Sequence, residues 1–224
     1  MGHKKRINTP KSWPIKKKEN KYVVRPSSGP HTLEHCLPIT VLLKEMLKYV
    51  KTTREARKVL NDGKLLVNGR VVKDHRFPVG LMDNLSFPEI NEYYKLTYNT
   101  HQKFQLEKIT KDLANLKTLK IVNKTVTKQN KTQLNFFNGH NLIVKENGYK
   151  VGDTLIVDDK NQVKNHLKFA PGAKVYIIDG SYVGEEGIVD KITARKGVSP
   201  SEITFKQGDK SLKTLTKYAF VVEK

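Results

Sequence analysis

Once the chain passes Pro38, apolar residues recur at helical spacing. Leu42, Leu43, Met46, Leu47 and Val50 form one stripe. That predicts a helix opening on the proline, whose missing N–H would have no partner in a first turn. A second helix is predicted from Thr52, because Glu55 stands three residues on in capping-box position. It should stop at Gly63, since glycine readily takes the left-handed conformation of a helix end. Two stripes share this second helix. Ala56, Val59 and Leu60 make an apolar i, i+3, i+4 set, and Arg54, Arg57 and Lys58 make a basic set of the same spacing, displaced by two residues. Two residues turn a helix by about 200°, so the basic groups should face away from the side that packs on the first helix. Residues 64–73 then read as two short strands joined at Asn68-Gly69, the strongest two-residue hairpin signal, with Lys64 and Arg70 flanking the turn.

From Tyr93 the apolar period becomes two. Tyr94, Leu96 and Tyr98 alternate with Tyr93, Lys95 and Thr97, and Asn99-Thr100 turns the chain toward Phe104, Leu106 and Ile109. A short helix or turn is expected near 110–116, followed by strands over about 119–126, 133–137, 141–145 and 153–157. Asn138-Gly139, Asn147-Gly148 and Gly152 punctuate them. Short strands with regular turns predict a small barrel, which could be a spacer or could touch a partner directly. Further on, Val175 and Ile177 alternate, and Gly180, Gly184 and Gly187 bracket a tight loop before Ile188, Val189 and Ile192. A phosphate-cradling loop should lead into a helix, usually through a Lys-Ser/Thr pair, whereas a β-branched strand follows here.

Charge narrows the function. Lys+Arg number 42 against 22 Asp+Glu, a formal +20, and an excess of this size points to a polyanion, most often nucleic acid. The charge is uneven. Residues 1–30 hold nine basic groups (Lys4, Lys5, Arg6, Lys11, Lys16, Lys17, Lys18, Lys21, Arg25) and one acid, Glu19, together with four prolines and no apolar period. Such a stretch is expected to be an extended arm over residues 1–37 that lacks a core and orders on its partner; a solvated tail or nuclear-targeting run is the blander alternative. Trp13 and Tyr22 within the basic run favour the partner, since a planar ring can stack on a base.

Chemistry beyond binding is sparse. Cys36 is the single cysteine, so no internal disulfide framework or all-cysteine metal site can form. His31, His35 and Cys36 make the one metal-like cluster, but it lies between Pro30 and Pro38 without a helix to hold its spacing. Packing histidines and a buried thiol are therefore expected. No His-Glu-x-x-His, Gly-x-Ser-x-Gly or acid pair in catalytic context occurs, no apolar run approaches a membrane span, and no secretory leader is evident. No catalysis, cofactor, metal or small-molecule substrate is expected.

Helix, Arg-faced helix, glycine stop and Val-Asn-Gly-Arg together resemble the S4 RNA-binding domain over about residues 38–90. In that family the second helix and hairpin track RNA phosphates, which implies Arg54, Arg57, Lys58, Lys64 and Arg70, with Asn68 at the turn. The glycine spacing of 172–192 is similar to the KOW motif of small SH3-like barrels, with one departure. Glu185 and Glu186 stand where ribosomal relatives often carry a basic residue, and this weighs against phosphate contact there. The order of modules is also telling: a basic arm ending Arg25-Pro-Ser-Ser-Gly-Pro-His31, then Cys36-Leu-Pro38, the S4 module, Phe77-Pro-Val-Gly-Leu-Met-Asp83, a central barrel and a KOW barrel. Together they resemble the S4e family of the archaeal and eukaryotic small ribosomal subunit nearly end to end. That resemblance implies an α+β chain with an arm at 1–37, an S4-type module at 38–92, a central β domain at 93–170 and a KOW domain at 171–224. It further implies a cytoplasmic structural protein bound to small-subunit ribosomal RNA beside neighbouring ribosomal proteins. Lys4, Lys5, Arg6, Lys11, Trp13, Lys16, Lys17, Lys18 and Arg25 would reach RNA from the arm. An RNA-modifying accessory protein and a KOW-bearing translation or transcription factor remain the alternatives on sequence alone.

Overall fold

Thr52 caps the second helix as its spacing with Glu55 predicts. Its hydroxyl accepts from the Glu55 amide at 3.2 Å, and Glu55 Oε2 accepts in return from the Thr52 amide at 3.4 Å. This helix belongs to a computed structural model that describes residues 4–127, 131–144, 148–195, 200–208 and 210–223. The fold is mixed, mostly strands with few helices. Two units divide it: Met1–Tyr98 with Gln102–Lys117, and Asn99–His101 with Thr118–Lys224.

In the first unit, β1 (Lys4–Lys5) and β2 (Tyr22–Val23) pair antiparallel around a single 3-10 turn, Arg6–Asn8. Here the structure corrects the expectation of an arm without a core. Arg6 and Trp13 are buried, 3% and 1% exposed. The Arg6 Nε donates to the Lys16 carbonyl at 2.7 Å, and both terminal nitrogens reach Glu45 Oε1 at 3.1 Å. Backbone bonds fasten the rest: the Phe104 amide donates to the Ser12 carbonyl and the Ser27 amide to that of Arg76, each at 2.9 Å. These anchors are single residues whose partners lie far along the chain, so they leave no period in the sequence.

β3 (Cys36–Pro38) leads into α1 (Ile39–Val41), which widens into a π turn at Leu42–Met46, with the Leu47 amide donating to the Leu42 carbonyl at 3.0 Å. The first helix therefore ends before Val50, and Lys48 takes a φ of 57°. Leu42, Leu43 and Val50 are buried all the same. α2 (Thr53–Asn61) ends through Asp62 onto Gly63, whose φ of 74° is the left-handed stop expected of it. β4 (Leu66–Val67) and β5 (Arg70–Val71) form the Asn68-Gly69 hairpin, both turn residues at positive φ. β6 (Pro78–Gly80) returns to pair with β3.

β7 (Asn84–Phe87), β8 (Glu92–Tyr98) and β9 (Phe104–Lys108) extend the hairpin into one antiparallel sheet of order β5-β4-β7-β8-β9. The strands after residue 93 begin by continuing this sheet, since β8 pairs with β7 from Asn84↔Lys95 to Phe87↔Glu92. Alternation alone says nothing about which strand a strand will join. The expected short helix is α3 (Lys111–Ala114), tied to β7 by Asn84 Nδ2, which donates to the Leu113 and Leu116 carbonyls at 3.0 and 2.6 Å.

The second unit holds two five-stranded sheets. β10 (Leu116–Val126), β11 (Thr132–Phe136), β12 (Asn141–Val144), β13 (Thr154–Asp158) and β14 (Val163–Leu167) take the order β12-β11-β10-β13-β14 over a core of Leu119, Ile121, Leu134, Phe136, Leu155 and Val157. Lys145 and Asn147, placed by the sequence pattern at the end and turn of this region, lie outside the described residues, as do Met1, Gly2 and His3. β15 (Lys174–Ile177), β16 (Glu186–Thr193), β17 (Glu202–Gln207), β18 (Lys210–Leu215) and β19 (Ala219–Val221) form an antiparallel sheet in which β19 closes against β15. Val175, Ile177, Val189, Ile203 and Phe205 fill its core.

A buried lysine joins these two sheets. Lys120 on β10 is 5% exposed, and its Nζ donates to the Lys217 carbonyl at 2.7 Å. Burial pushes its ammonium down to about 8. The unfolded chain, with a lysine near the usual value of about 10.4, then binds more protons than the folded one between those limits. Stability should therefore rise as pH increases from about 8 toward 10, by up to about 1.4 kcal/mol per pH unit. Urea unfolding across this range should show the rise in the native chain and a flatter profile in Lys120→Met. Equal slopes in the two proteins would remove Lys120 as its source.

Candidate nucleic-acid interface

The amphipathic character of α2 survives folding. Ala56 and Leu60 are fully buried, while Arg54, Arg57 and Lys58 are exposed. Arg57 is steadied by His75: its Nη2 stands 3.2 Å from His75 Nε2. Burial, followed by the neighbouring guanidinium, holds that imidazole below its ordinary value, so the ring is neutral and accepts. Lys51 just before the helix and Lys73 just after β5 are also exposed, and sequence reasoning passed over them because both lie outside the helix that carries the stripe. Arg70 is exposed on β5. Lys64 meets Glu89 at 3.0 Å, which raises its ammonium above the usual lysine range; the pair is open to solvent and leaves the cation reachable.

Asn68 has a different position. Its Nδ2 donates to Asp83 Oδ1 at 2.8 Å, and its Oδ1 accepts from the Asn84 amide at 2.9 Å. Asp83 is 3% exposed and also accepts from the Gly80 amide at 2.8 Å, while His31 Nε2 lies 2.9 Å from its Oδ2. This carboxylate therefore binds the arm, the loop after β6 and the hairpin tip into one buried network. Gly80 permits it, since a Cβ there would stand 2.2 Å from the His31 ring.

On the arm, Lys5, Lys11, Lys16, Lys17, Lys18 and Arg25 are exposed or half-buried and Lys4 is half-buried in the β1–β2 ladder. Lys17 Nζ donates to the Thr9 carbonyl at 3.4 Å, and Lys21 lies over the Tyr22 ring at 5.4 Å. Arg6 and Trp13 are turned inward and present no contact surface. Among the candidate cations, the structure thus gathers the α2 stripe with Arg70 on one module and fastens the lysine-rich loop to that module.

The metal-like cluster separates on folding. His31 goes to Asp83, His35 Nδ1 lies 3.3 Å from the Tyr98 hydroxyl, and Cys36 is buried, its thiol pushed up to about 12 by desolvation and then by Asp83. Among the described residues no group of three or more His, Cys, Asp or Glu is placed to hold a metal. Among the described residues, too, no helix is long and apolar enough to cross a membrane. At the start of β16, Glu186 pairs with Lys174 at 2.6 Å.

A short helix with a widened turn, a capped helix with a basic outer face and an Asn-Gly hairpin define an S4-domain protein, and the S4 domain model matches residues 40–85. The remaining matches name the family. The RS4NT (NUC023) domain model covers residues 2–34 and the model of ribosomal family S4e covers 90–163. The chain is similar to small ribosomal subunit protein eS4 of Methanococcus aeolicus, 40% identical over 98% of this chain and 93% of that one. It is similar to eS4 of Archaeoglobus fulgidus, 37% identical over 99% and 93%. The crystal structure of 30S ribosomal protein S4e from Thermoplasma acidophilum superposes with a TM-score of 0.72 at 31% identity, covering 84% of this chain and 94% of that one. The chain belongs to the S4e ribosomal protein family.

Proposed function

We propose that this protein is a structural constituent of the small ribosomal subunit in the cytoplasm, held on ribosomal RNA beside neighbouring small-subunit proteins. It is not an enzyme; its family is one of structural ribosomal proteins. One observation carries the reading of how it binds. α2 buries Ala56 and Leu60 while presenting Arg54, Arg57 and Lys58 to solvent inside the S4 domain. Phosphates run past this face and past Arg70, Lys64 and the arm cations Lys4, Lys5, Lys11, Lys16, Lys17, Lys18 and Arg25. Because the arm is anchored at Arg6 and Trp13, its lysines are offered from a preformed loop, and less ordering entropy opposes binding. We read β15–β19 as an SH3-like barrel of the KOW type. The left-handed Gly180 and Gly184, at φ of 90° and 84°, support that reading.

Lysine and arginine contacts to phosphates fix position without reading sequence. Truncating Lys58 or Arg70 to alanine should therefore weaken binding to small-subunit RNA and lower the salt slope by about one for each phosphate no longer neutralised, with preference between RNAs unchanged. Filter-binding titrations over a salt series measure both quantities. Altered preference at an unchanged slope would mean that these side chains read bases. Sedimentation of the native protein with small subunits through a high-salt wash tests the structural role itself, since a transient factor would wash off.

A further inference from the structure

Among the described residues, the outward face of β10, β11 and β12 carries two rows of mostly uncharged polar side chains. Cross-strand register places Asn123, Asn135 and Asn141 in one row and Thr125, Gln133 and Ile143 in the next. Between them, Leu134 points the other way into the core. Gln133 Nε2 donates to Asn135 Oδ1 at 2.8 Å, so the rows are linked into a ladder of amides. Five of these six side chains are uncharged hydrogen-bonding groups. The other sheet of the same unit covers its solvent side with ion pairs, Lys206–Asp190 at 3.0 Å and Arg195–Glu202 at 2.9 Å. Asparagine is depleted in strands, so a row of three gives up sheet propensity in return for donors and acceptors held at fixed spacing.

Three features choose the occupant. Between Asp112 and Glu146 the sequence has lysines and no acid, so the surroundings attract a polyanion. Lys117 and Lys120 of these are buried and Lys124, paired with Leu134, lies on the other side of the sheet, which leaves the positive charge of the described remainder on this face at Lys131, two residues before Gln133 and opposite Thr127. The six side chains themselves include no aromatic ring on which an unpaired base could stack. A flat array of uncharged donors and acceptors instead matches the wide, shallow minor groove of A-form RNA, which displays 2′-hydroxyls and base edges.

We propose that the amide rows Asn123–Asn135–Asn141 and Thr125–Gln133 bind the minor groove of an RNA helix through its 2′-hydroxyls. This rests on the RNA-binding reading above and adds a second surface to it. The test uses the full chain, a short RNA duplex and the DNA duplex of the same sequence. Asn135→Thr with Asn141→Thr introduces better strand formers and should leave thermal stability equal or raised while lowering RNA affinity about tenfold and shrinking the preference for RNA over DNA. Asn135→Asp keeps the side-chain shape and should lower RNA affinity at least as much through repulsion of phosphate. If both variants bind RNA as the native chain does while charge reversal on α2 still abolishes binding, the sheet proposal falls and the α2 reading stands. If charge reversal is also without effect, the RNA-binding reading itself falls. Equal losses for RNA and DNA would overturn readout through the 2′-hydroxyl.

Discussion

Asp83→Ala is expected to destabilise the first unit by about 3–5 kcal/mol, because it strips a partner from the buried His31 ring, the buried Gly80 amide and the half-buried Asn68 amide at once. His31 Nε2, the Gly80 amide and Asn68 Nδ2 all lie within 2.9 Å of its carboxylate oxygens. The His31 ring and the Gly80 amide are enclosed by protein, so water cannot replace the missing oxygen there without opening the site. A change of this size is a large share of a typical domain stability of about 5–15 kcal/mol. The hairpin should suffer first, since Asn68 is left with one of its two clamps, and with it goes the placement of Arg70. Chemical denaturation gives the magnitude, and hydrogen exchange at Asn68–Gly69 gives the location. A destabilisation below about 1 kcal/mol, with the hairpin amides as protected as before, would show that Asp83 does not hold the network together.

Reversing Arg54, Arg57 and Lys58 together to glutamate should have the opposite profile. All three are exposed, so folding stability should change by about 0.5 kcal/mol or less for each, as is usual for surface positions. Each swap removes one phosphate contact and adds a repulsion, and RNA affinity should fall by about a thousandfold or more at moderate salt. Leu60→Ala on the same helix is the control: it opens a cavity in a fully buried position and should lower stability by about 2–5 kcal/mol before it affects binding. Circular dichroism melts beside RNA titrations separate the two. If the charge reversal unfolds the module, the basic stripe packs on protein and the RNA face lies elsewhere.

What could be read from the sequence was local chemistry. Thr52 with Glu55, Gly63 and Asn68-Gly69 each commit a few neighbouring residues to one geometry, and the structure has all three. The two faces of α2 followed from spacing alone. The first helix was read too long because the π turn at Leu42–Met46 shifts its register without any proline or glycine to mark it. β14 escaped notice since Val163 and Leu167 bracket only polar residues. Larger misreadings concern contacts made far along the chain. Trp13 looked like a ring awaiting a base, and Arg6 like one more cation, because nothing near either names Phe104's neighbourhood or Glu45 as the place where the arm would dock. The network around Asp83 was hidden in the same way: His31 sat in an apparent metal cluster, and its partner lay 52 residues on.

That separation has a consequence for synthesis. The arm is synthesised before its partners, so Arg6 must wait for Glu45, His31 for Asp83, and Ser12 for Phe104. At roughly 5–20 residues per second, the 39 residues from Arg6 to Glu45 take about 2–8 s to make and the stretch to Phe104 about 5–20 s in all, and the lysine-rich arm is incompletely anchored until then. Closure of such distant contacts is also the slow kind. A polyanion that seizes the arm during this interval meets it before its final shape exists. The order in which the arm finds Glu45 and RNA is thus set by the length of chain between Arg6 and Glu45 and by the pace of translation.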